Sequence, residues 1–366
     1  MIVHFFDVSM SHLSVGIMSS FISELKLDQK ILLCAHKKML FGSLESERKK
    51  YNDALEEYNF TNFEYIYEED VVFEKLLREL KNGNKCILHG YFDLLYPLRT
   101  GNFWLFIKIL LNLHYFSNLM FVHWGTADFK VISFIKKFLR RFIYSKLRYN
   151  IVLVDGDKVQ LENFLNLRNV IVLPYFSARK YIEKFYKLKK EEDKKSQVRV
   201  VVSHSGHIHN NHKKTLDLLK SKFDSVISEV ALPLCYGPKD YINEVIEYGK
   251  SLFGERFYYF TELLTKEKYV NFIRERDIFI SAAENQTGLG ASAFALGNGL
   301  KVFRVGLTYE DHKKNDFVVF HFDDLYNITN FEFCESLSEK QKKHNVYVLE
   351  KSSEIKIKKW NNLLSC

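Results

Sequence analysis

VRVVVSHSGHIHNNHKKTL, from Val198 to Leu216, decides how the chain reads. The run Val200 to Val202 has the composition of a buried strand, and the polar loop behind it carries one glycine before a helix-spaced pattern begins. Strand, glycine-bearing loop and helix in that order are the parts of an anion site in α/β proteins. Backbone N–H groups point at the ligand there, and the helix dipole favours negative charge. Ser203, Ser205 and Gly206 are therefore expected where strand meets helix, their N–H groups aimed at a phosphate, with His207 and Asn211 in the same loop.

The pattern repeats along the second half of the chain. VISEVALPL (226–234), FYYF (257–260), DIFISAA (277–283) and KVFRVG (301–306) read as strands. Between them, KDYINEVIEYGKSLF sets Ile242, Val245, Ile246, Leu252 and Phe253 on one face and stops at Gly254, and KEKYVNFIRER is a second helix. Strands alternating with helices at these lengths predict a parallel sheet with right-handed crossovers. The first half rhymes with it through IVHFFDV, KILLCAHK, FEYIYEE, KCILHGYF, LMFVHWG, NIVLVDG and NVIVLPY. The fold class is α/β, with two Rossmann-like, doubly wound domains facing across a cleft between the carboxyl ends of their strands. The expected divisions are 1–185, 186–340 and a helical segment 341–366 expected to pack back on the first domain. The charged stretch Lys187 to Gln197 reads as a solvated linker or as the exposed end of a helix.

Composition narrows the class further. A chain of 366 residues exceeds one ordinary core at roughly 150 residues per domain, and 47% hydrophobic residues argue against disorder. Cys34, Cys86, Cys235, Cys334 and Cys366 are odd in number and lack any Cys-x-x-Cys spacing, so neither a disulfide framework nor a zinc site is indicated and a reducing compartment fits. MIVHFFDVSM reads as a first strand, not as a leader peptide. FWLFIKILLNLHYFSNLMFV, broken by Lys108, His114 and Asn118, reads as a core helix feeding a buried strand and not as a membrane span.

The net charge of +8 is unevenly spread. No acidic residue falls between Asp128 and Asp155, while Lys136, Lys137, Arg140 and Arg141 lie off a stripe formed by Ile135, Phe138, Leu139, Phe142 and Ile143. Two readings fit: a helix lying on an anionic membrane surface, or a surface helix whose apolar side packs on its own domain. No nucleic-acid-binding pattern accompanies the basic run.

Residues able to do chemistry collect at strand ends. Asp7 and His12 follow the first strand, His89 ends KCILHG, and His123, Trp124 and Asp128 close LMFVHWG. In the second half the loop AENQTGLG brings Glu284, Gln286, Gly288 and Gly290 to another strand end, where the glycines relieve steric limits at a helix N-terminus and suit a diphosphate. Neither loop has the spacing of a dinucleotide fingerprint or a P-loop. His207, His209 and His212 are close in sequence but lack a carboxylate or cysteine at a fixed ligand spacing, so no metal is assigned.

These residues carry a family resemblance. His-Gly-x-Phe (His89, Gly90, Phe92), His-Trp-Gly-x-Ala-Asp (His123, Trp124, Gly125, Ala127, Asp128) and Ser-Gly-x-x-x-Asn-Asn-His (Ser205, Gly206, Asn210, Asn211, His212) occur in the order found in the dTDP-linked 4-acetamido-4,6-dideoxygalactose transferases of enterobacterial common antigen assembly. The similarity runs through PLCYGPKDYINEVIEYGKSLF and LTKEKYVNFIRERDIFI and closes on Gln286, Gly288 and Gly290, spanning about residues 85 to 305. Two motifs depart from the family: Ser205-Gly206 is followed by His207 where the family has Asp, and the tryptophan motif is shifted by one residue. An O-antigen or capsule enzyme therefore fits as well as the common-antigen one.

The resemblance implies a GT-B glycosyltransferase that moves a deoxyamino sugar from a nucleotide-diphosphate donor to a lipid-linked saccharide. It implies work at the cytoplasmic face of the bacterial inner membrane, no metal or other cofactor, and inversion at the anomeric carbon. The second domain takes the donor through Ser203, Ser205, Gly206, His207, Asn211, Glu284, Gln286, Gly288 and Gly290. The first takes the acceptor beside His89, His123 and Trp124, with Asp7, His12 or Asp128 as the base. The alternatives are a non-catalytic binding protein of the same fold and another nucleotide-sugar enzyme such as an epimerase.

Overall fold

A computed structural model of the chain describes residues 1–8, 11–34, 43–90, 92, 94–124, 133–188 and 196–365. It separates into two units, Met1–Ala178 with Ser353–Cys366, and Arg179–Ser352.

The first unit alternates strand and helix as its sequence predicts. β1 (Ile2–Asp7), α1 (Ser11–Glu24), β2 (Gln29–Cys34), α2 (Leu44–Glu57), β3 (Phe63–Ile66), α3 (Glu69–Lys81) and β4 (Lys85–His89) come first. α4 (Tyr96–Arg99), α5 (Phe103–Leu111), β5 (Leu119–Val122), α6 (Phe134–Tyr144), β6 (Tyr149–Val152), α7 (Asp155–Leu165) and β7 (Val170–Val172) follow. The strands make a parallel sheet ordered β3-β2-β1-β4-β5-β6-β7, so the order reverses between β1 and β4. Strands buried on both faces favour apolar runs, and β1 follows this at Val3, Phe5 and Phe6, all fully enclosed, with the buried His4 as its interruption. The apolar segment after Asn102 is a helix that feeds β5 through a 3-10 turn, as expected; Asn102 caps it by accepting the Leu105 N–H at 3.1 Å.

The second unit holds α8 (Arg179–Phe185), β8 (Val198–Val202), α9 (His212–Phe223), β9 (Ile227–Pro233), α10 (Lys239–Phe253), β10 (Phe257–Phe260) and α11 (Lys266–Arg274). β11 (Ile278–Ser281), α12 (Leu289–Gly297), β12 (Lys301–Arg304), α13 (Gly306–Lys314), β13 (Phe320–His321), α14 (Asn330–Cys334) and α15 (Glu339–Ser365) complete the chain. Its sheet is also parallel, ordered β10-β9-β8-β11-β12-β13, and reverses between β8 and β11. Side chains alternate across it. Val200, Val202, Ile278, Ile280 and Phe303 pack on one face, and Val201, Phe279 and Val302 join Ala291, Phe294 and Ala295 of α12 on the other. α15 belongs to the second unit as far as Ser352 and to the first from Ser353, where Trp360 is fully buried and donates to the Pro174 carbonyl at 3.1 Å.

Both sheets are thus doubly wound with one reversal point each. Ligands of such sheets bind outside the carboxyl ends of the strands at that point. In the first unit the reversal lies between Asp7 and His89, and in the second between Ser203 and Ser281.

Candidate functional site

The loops leaving β8 and β11 flank the reversal point of the second unit and are tied to each other. Asn211 donates to the Ala282 carbonyl at 2.9 Å, and the Thr287 hydroxyl lies 3.0 Å from His204 Nε2. Ser203 takes a left-handed backbone (φ 62°), unusual for a residue with a side chain, and turns the chain at the strand end. Asn210 then holds the loop from within, donating to Ser205 O at 2.8 Å and to its hydroxyl at 2.9 Å.

One expectation changes here. The Ser203 N–H donates to Ile280 O (2.8 Å) and the Gly206 N–H to Tyr236 O (2.7 Å), so neither points at a ligand. A one-turn 3-10 helix, Ile208–Asn210, and a left-handed Asn211 come between this loop and α9. Gly206 is required for packing: a Cβ there would drive into Ile242. Ser205 is fully buried, whereas His207 is half-buried and stacks on His209 with ring centroids 5.2 Å apart.

The second loop has the open geometry. No side chain caps α12, leaving its first N–H groups without intrahelical acceptors. Gly288, its N-cap, has φ 63°, and a Cβ on it would stand 2.7 Å from His204 Nδ1. Gly290 is exposed, and a Cβ on it would meet nothing within 4 Å. The backbone of the first turn of α12 is therefore approachable where His204 closes the other side. Glu284 is exposed beside it, its carbonyl accepting the Leu307 N–H at 2.9 Å, and Gln286 Oε1 is enclosed without a partner.

Two residues of this site escaped the sequence reading. His204, with Nδ1 enclosed and unpartnered, is held well below the ordinary imidazole pKa by burial, to which the Arg304 charge adds, and is neutral at pH 7. Arg304 closes β12 fully buried, donating to Thr287 O at 2.8 Å, Gly288 O at 3.4 Å and the Ser292 hydroxyl. Its only sequence signal is a cation at the carboxyl end of β12, following the apolar pair Val302 and Phe303.

In the first unit the side chains at the reversal point form a hydrogen-bonded chain that runs from buried His4 and His89 to half-buried Tyr175 and Trp124. His4 Nδ1 lies 3.0 Å from His89 Nε2, His89 Nδ1 lies 2.9 Å from the Tyr175 hydroxyl, and Trp124 Nε1 donates to that hydroxyl at 3.0 Å. Burial holds His4 down at about 3 and His89 well below its ordinary value, so both rings are neutral. His89 is enclosed and bears on its surroundings through Tyr175 and Trp124. Gly90 (φ 89°) leaves room for the indole, since a Cβ would stand 2.8 Å from it. His123 is buried with Nε2 3.1 Å from Asn150 Oδ1 and a pKa near 4. Asp7 is also buried, and its carbonyl accepts from Tyr51 at 3.1 Å. His12 falls in the first turn of α1 with its side chain outside what is described, and Asp128, Gly125 and Ala127 lie outside the described residues, as do residues 189–195 of the charged stretch.

The α6 stripe proves to be split. Ile143 is buried and Leu139 half-buried, while Phe134, Ile135 and Phe138 are 84%, 70% and 61% exposed, with Lys136 and Arg141 exposed beside them and Lys137 and Arg140 half-buried. The stripe therefore does not pack wholly on its own unit. Among the described residues no helix is long and apolar enough to cross a membrane, and no group of three or more His, Cys, Asp or Glu side chains is arranged to hold a metal ion. Asp155 and Asp157, spaced like a metal-binding pair, sit in the first turn of α7, where the dipole favours carboxylates.

Comparison with known proteins gives this geometry a family. The crystal structure of a glycosyltransferase from Rickettsia africae superposes with a TM-score of 0.62 at 13% identity, covering 99% of this chain and 97% of that one. Anabaena HepE in complex with UDP and glucose gives 0.61 at 12% identity, covering 100% and 98%. The E. coli trehalose-6-phosphate structure bound with UDP-2-fluoro glucose gives 0.58 at 10% identity, covering 99% and 97%. At such identities these likenesses speak for the fold, which is GT-B. No curated protein matches the sequence. The profile of the family described as 4-alpha-L-fucosyltransferase, glycosyl transferase group 56, matches residues 4–364, and the chain belongs to that family as a hexosyltransferase of GT-B fold.

Proposed function

We propose that the chain transfers a deoxyamino sugar from a dTDP-linked donor to a lipid-linked saccharide during synthesis of a bacterial surface polysaccharide, at the cytoplasmic face of the inner membrane. The observation that carries the reading is the uncapped N-terminus of α12, approachable at Gly290 and fastened to the β8 loop by His204 and Thr287 at the sheet's reversal point. Backbone N–H groups with a helix dipole behind them suit a diphosphate. The ligands of the similar structures, UDP with glucose and UDP-2-fluoro glucose, belong to the same chemical class.

The reaction is a direct displacement. The acceptor hydroxyl oxygen bonds to the anomeric carbon from the side opposite the diphosphate, the carbon–phosphate oxygen bond breaks, and the electron pair leaves with the nucleoside diphosphate. The hydroxyl proton goes to Asp7, His12 or Asp128, and configuration inverts. The helix terminus and the Arg304 charge offset the developing negative charge, with no metal assigned to that task. Glu284 and Gln286 accept hydrogen bonds from donor hydroxyls. The exposed Phe134, Ile135 and Phe138 with the four cations of α6, and the outward Trp104, support docking on an anionic lipid surface.

Mass spectrometry of products from a panel of dTDP-, UDP- and GDP-sugars, with and without a polyprenyl-diphosphate-linked saccharide and in the presence of EDTA, tests this. A sugar added to the lipid-linked acceptor from a dTDP-sugar is the expected product. Absence of transfer from every donor in the panel overturns the reading.

A further inference from the structure

The carboxyl ends of β8, β11 and β12 carry an unusual row. Ser281 is in register with Arg304, and because Ile280 pairs with Val202, the next position sets Ser203 beside Ser281. All three side chains are fully buried, and each keeps an atom without a hydrogen-bond partner: Ser203 Oγ, Ser281 Oγ and Arg304 Nε. The positions just before them are Val202, Ile280 and Phe303, so polarity begins abruptly at the row.

Arg304 is the energetic anomaly. A buried ion ordinarily needs an opposite charge, because its desolvation is costly. Among the described residues no carboxylate pairs with this guanidinium. Its acceptors are the neutral Thr287 and Gly288 carbonyls and the Ser292 hydroxyl, all in the turn that starts α12. The positive end of the α12 dipole lies over the same place, so cation and dipole repel one another. Burial lowers the guanidinium pKa to about 9, which still leaves it ionised at pH 7. An anion at the helix terminus relieves both costs at once.

We infer that Arg304 is a positioning residue for the donor: from beneath the 287–292 turn it fixes the helix terminus and supplies an uncompensated positive charge that selects a diphosphate over ligands of lower charge. The inference rests on the donor reading of the two loops. His204 contributes by staying neutral, so that the charge in the row comes from Arg304.

The test compares dTDP, dTMP and thymidine by calorimetry on the full-length wild type and on Arg304→Met, Arg304→Gln and Arg304→Lys; where UDP is the diphosphate that binds, UDP, UMP and uridine replace them. Loss of a charge-assisted interaction predicts dTDP weakened about tenfold or more in the Met and Gln variants, dTMP less, and thymidine by less than about twofold. The Lys variant keeps an ammonium but loses the guanidinium fork that holds three acceptors, so its affinity for dTDP falls between those of wild type and Met. Gln retains a donor for the Thr287 carbonyl, so it serves if Met does not fold. Equal weakening of all three ligands, or a Lys variant no better than Met, overturns the inference and leaves the donor reading standing. A wild-type protein that binds no nucleoside diphosphate removes the donor reading itself.

Discussion

Gly288 and Gly290 lie two residues apart in one turn, yet an added methyl group should act on them in opposite ways. At Gly290 the Cβ would meet nothing within 4 Å, and the residue lies in the first turn of α12 without the left-handed backbone of Gly288. Alanine there should stabilise the protein by about 0.5–1 kcal/mol through helix propensity and lower unfolded-state entropy. For a unit of this size that is an increase of about 1–4 °C in Tm. The same methyl occupies the space through which a phosphate reaches the helix N–H groups, and losing one charge-assisted hydrogen bond of about 1.5–3 kcal/mol raises the donor KM about ten- to a hundredfold. Alanine at Gly288 is costly for the fold itself. With φ at 63° and His204 Nδ1 at 2.7 Å, it should destabilise by about 1–3 kcal/mol. Thermal unfolding without ligand, alongside donor KM, separates the cases. Gly290→Ala with unchanged KM would show that the turn does not meet the donor phosphates, and a fall in Tm like that of Gly288→Ala would refute the open-space argument.

Other perturbations test other parts of the account. Gly90→Ala puts a Cβ 2.8 Å from the Trp124 indole on a backbone with φ 89°, and urea unfolding should show a loss of about 2–4 kcal/mol; near-wild-type stability would mean the indole moves aside freely. Replacing Lys136, Lys137, Arg140 and Arg141 with glutamine should reduce co-sedimentation with anionic vesicles, and Phe134→Ser with Phe138→Ser should reduce it in neutral ones too; unchanged binding in both removes α6 from the membrane contact. Acid should weaken the first unit early. His4 and His123 are held at about 3 and about 4 in the fold, so between pH 6.5 and 4 the unfolded chain binds protons that the native state refuses. Stability then falls by up to about 1.4 kcal/mol per pH unit for each imidazole as pH drops through that window. His123→Gln should flatten the slope measured by urea unfolding between pH 6.5 and 5.5, and an unaltered slope would contradict a neutral buried His123.

The strands were legible because fully buried parallel strands are written as apolar runs, as in Val200–Val202 and Ile278–Ile280. β13, two residues long, carries too little pattern to read. Periodicity located the α6 stripe but not its orientation, since period alone does not say which part of a stripe meets solvent. The loop Ser203–Asn211 was found by composition, yet the fate of its N–H groups depends on Tyr236 and Ile280, far away in sequence. The chain from His4 through His89 and Tyr175 to Trp124 joins residues up to 86 positions apart in a single step, beyond any local signal. Arg304 is one of two cations in KVFR, and only its full burial and its register with Ser281 set it apart.

The central claim is that the second unit holds a nucleoside diphosphate at the start of α12. Calorimetric titration of the full-length protein with dTDP, UDP and GDP, in buffer containing EDTA, addresses it most directly. The account predicts saturable one-to-one binding of dTDP that is lost in Gly290→Val while that variant remains folded. Binding of none of the three nucleotides, or binding that Gly290→Val leaves intact, would contradict it.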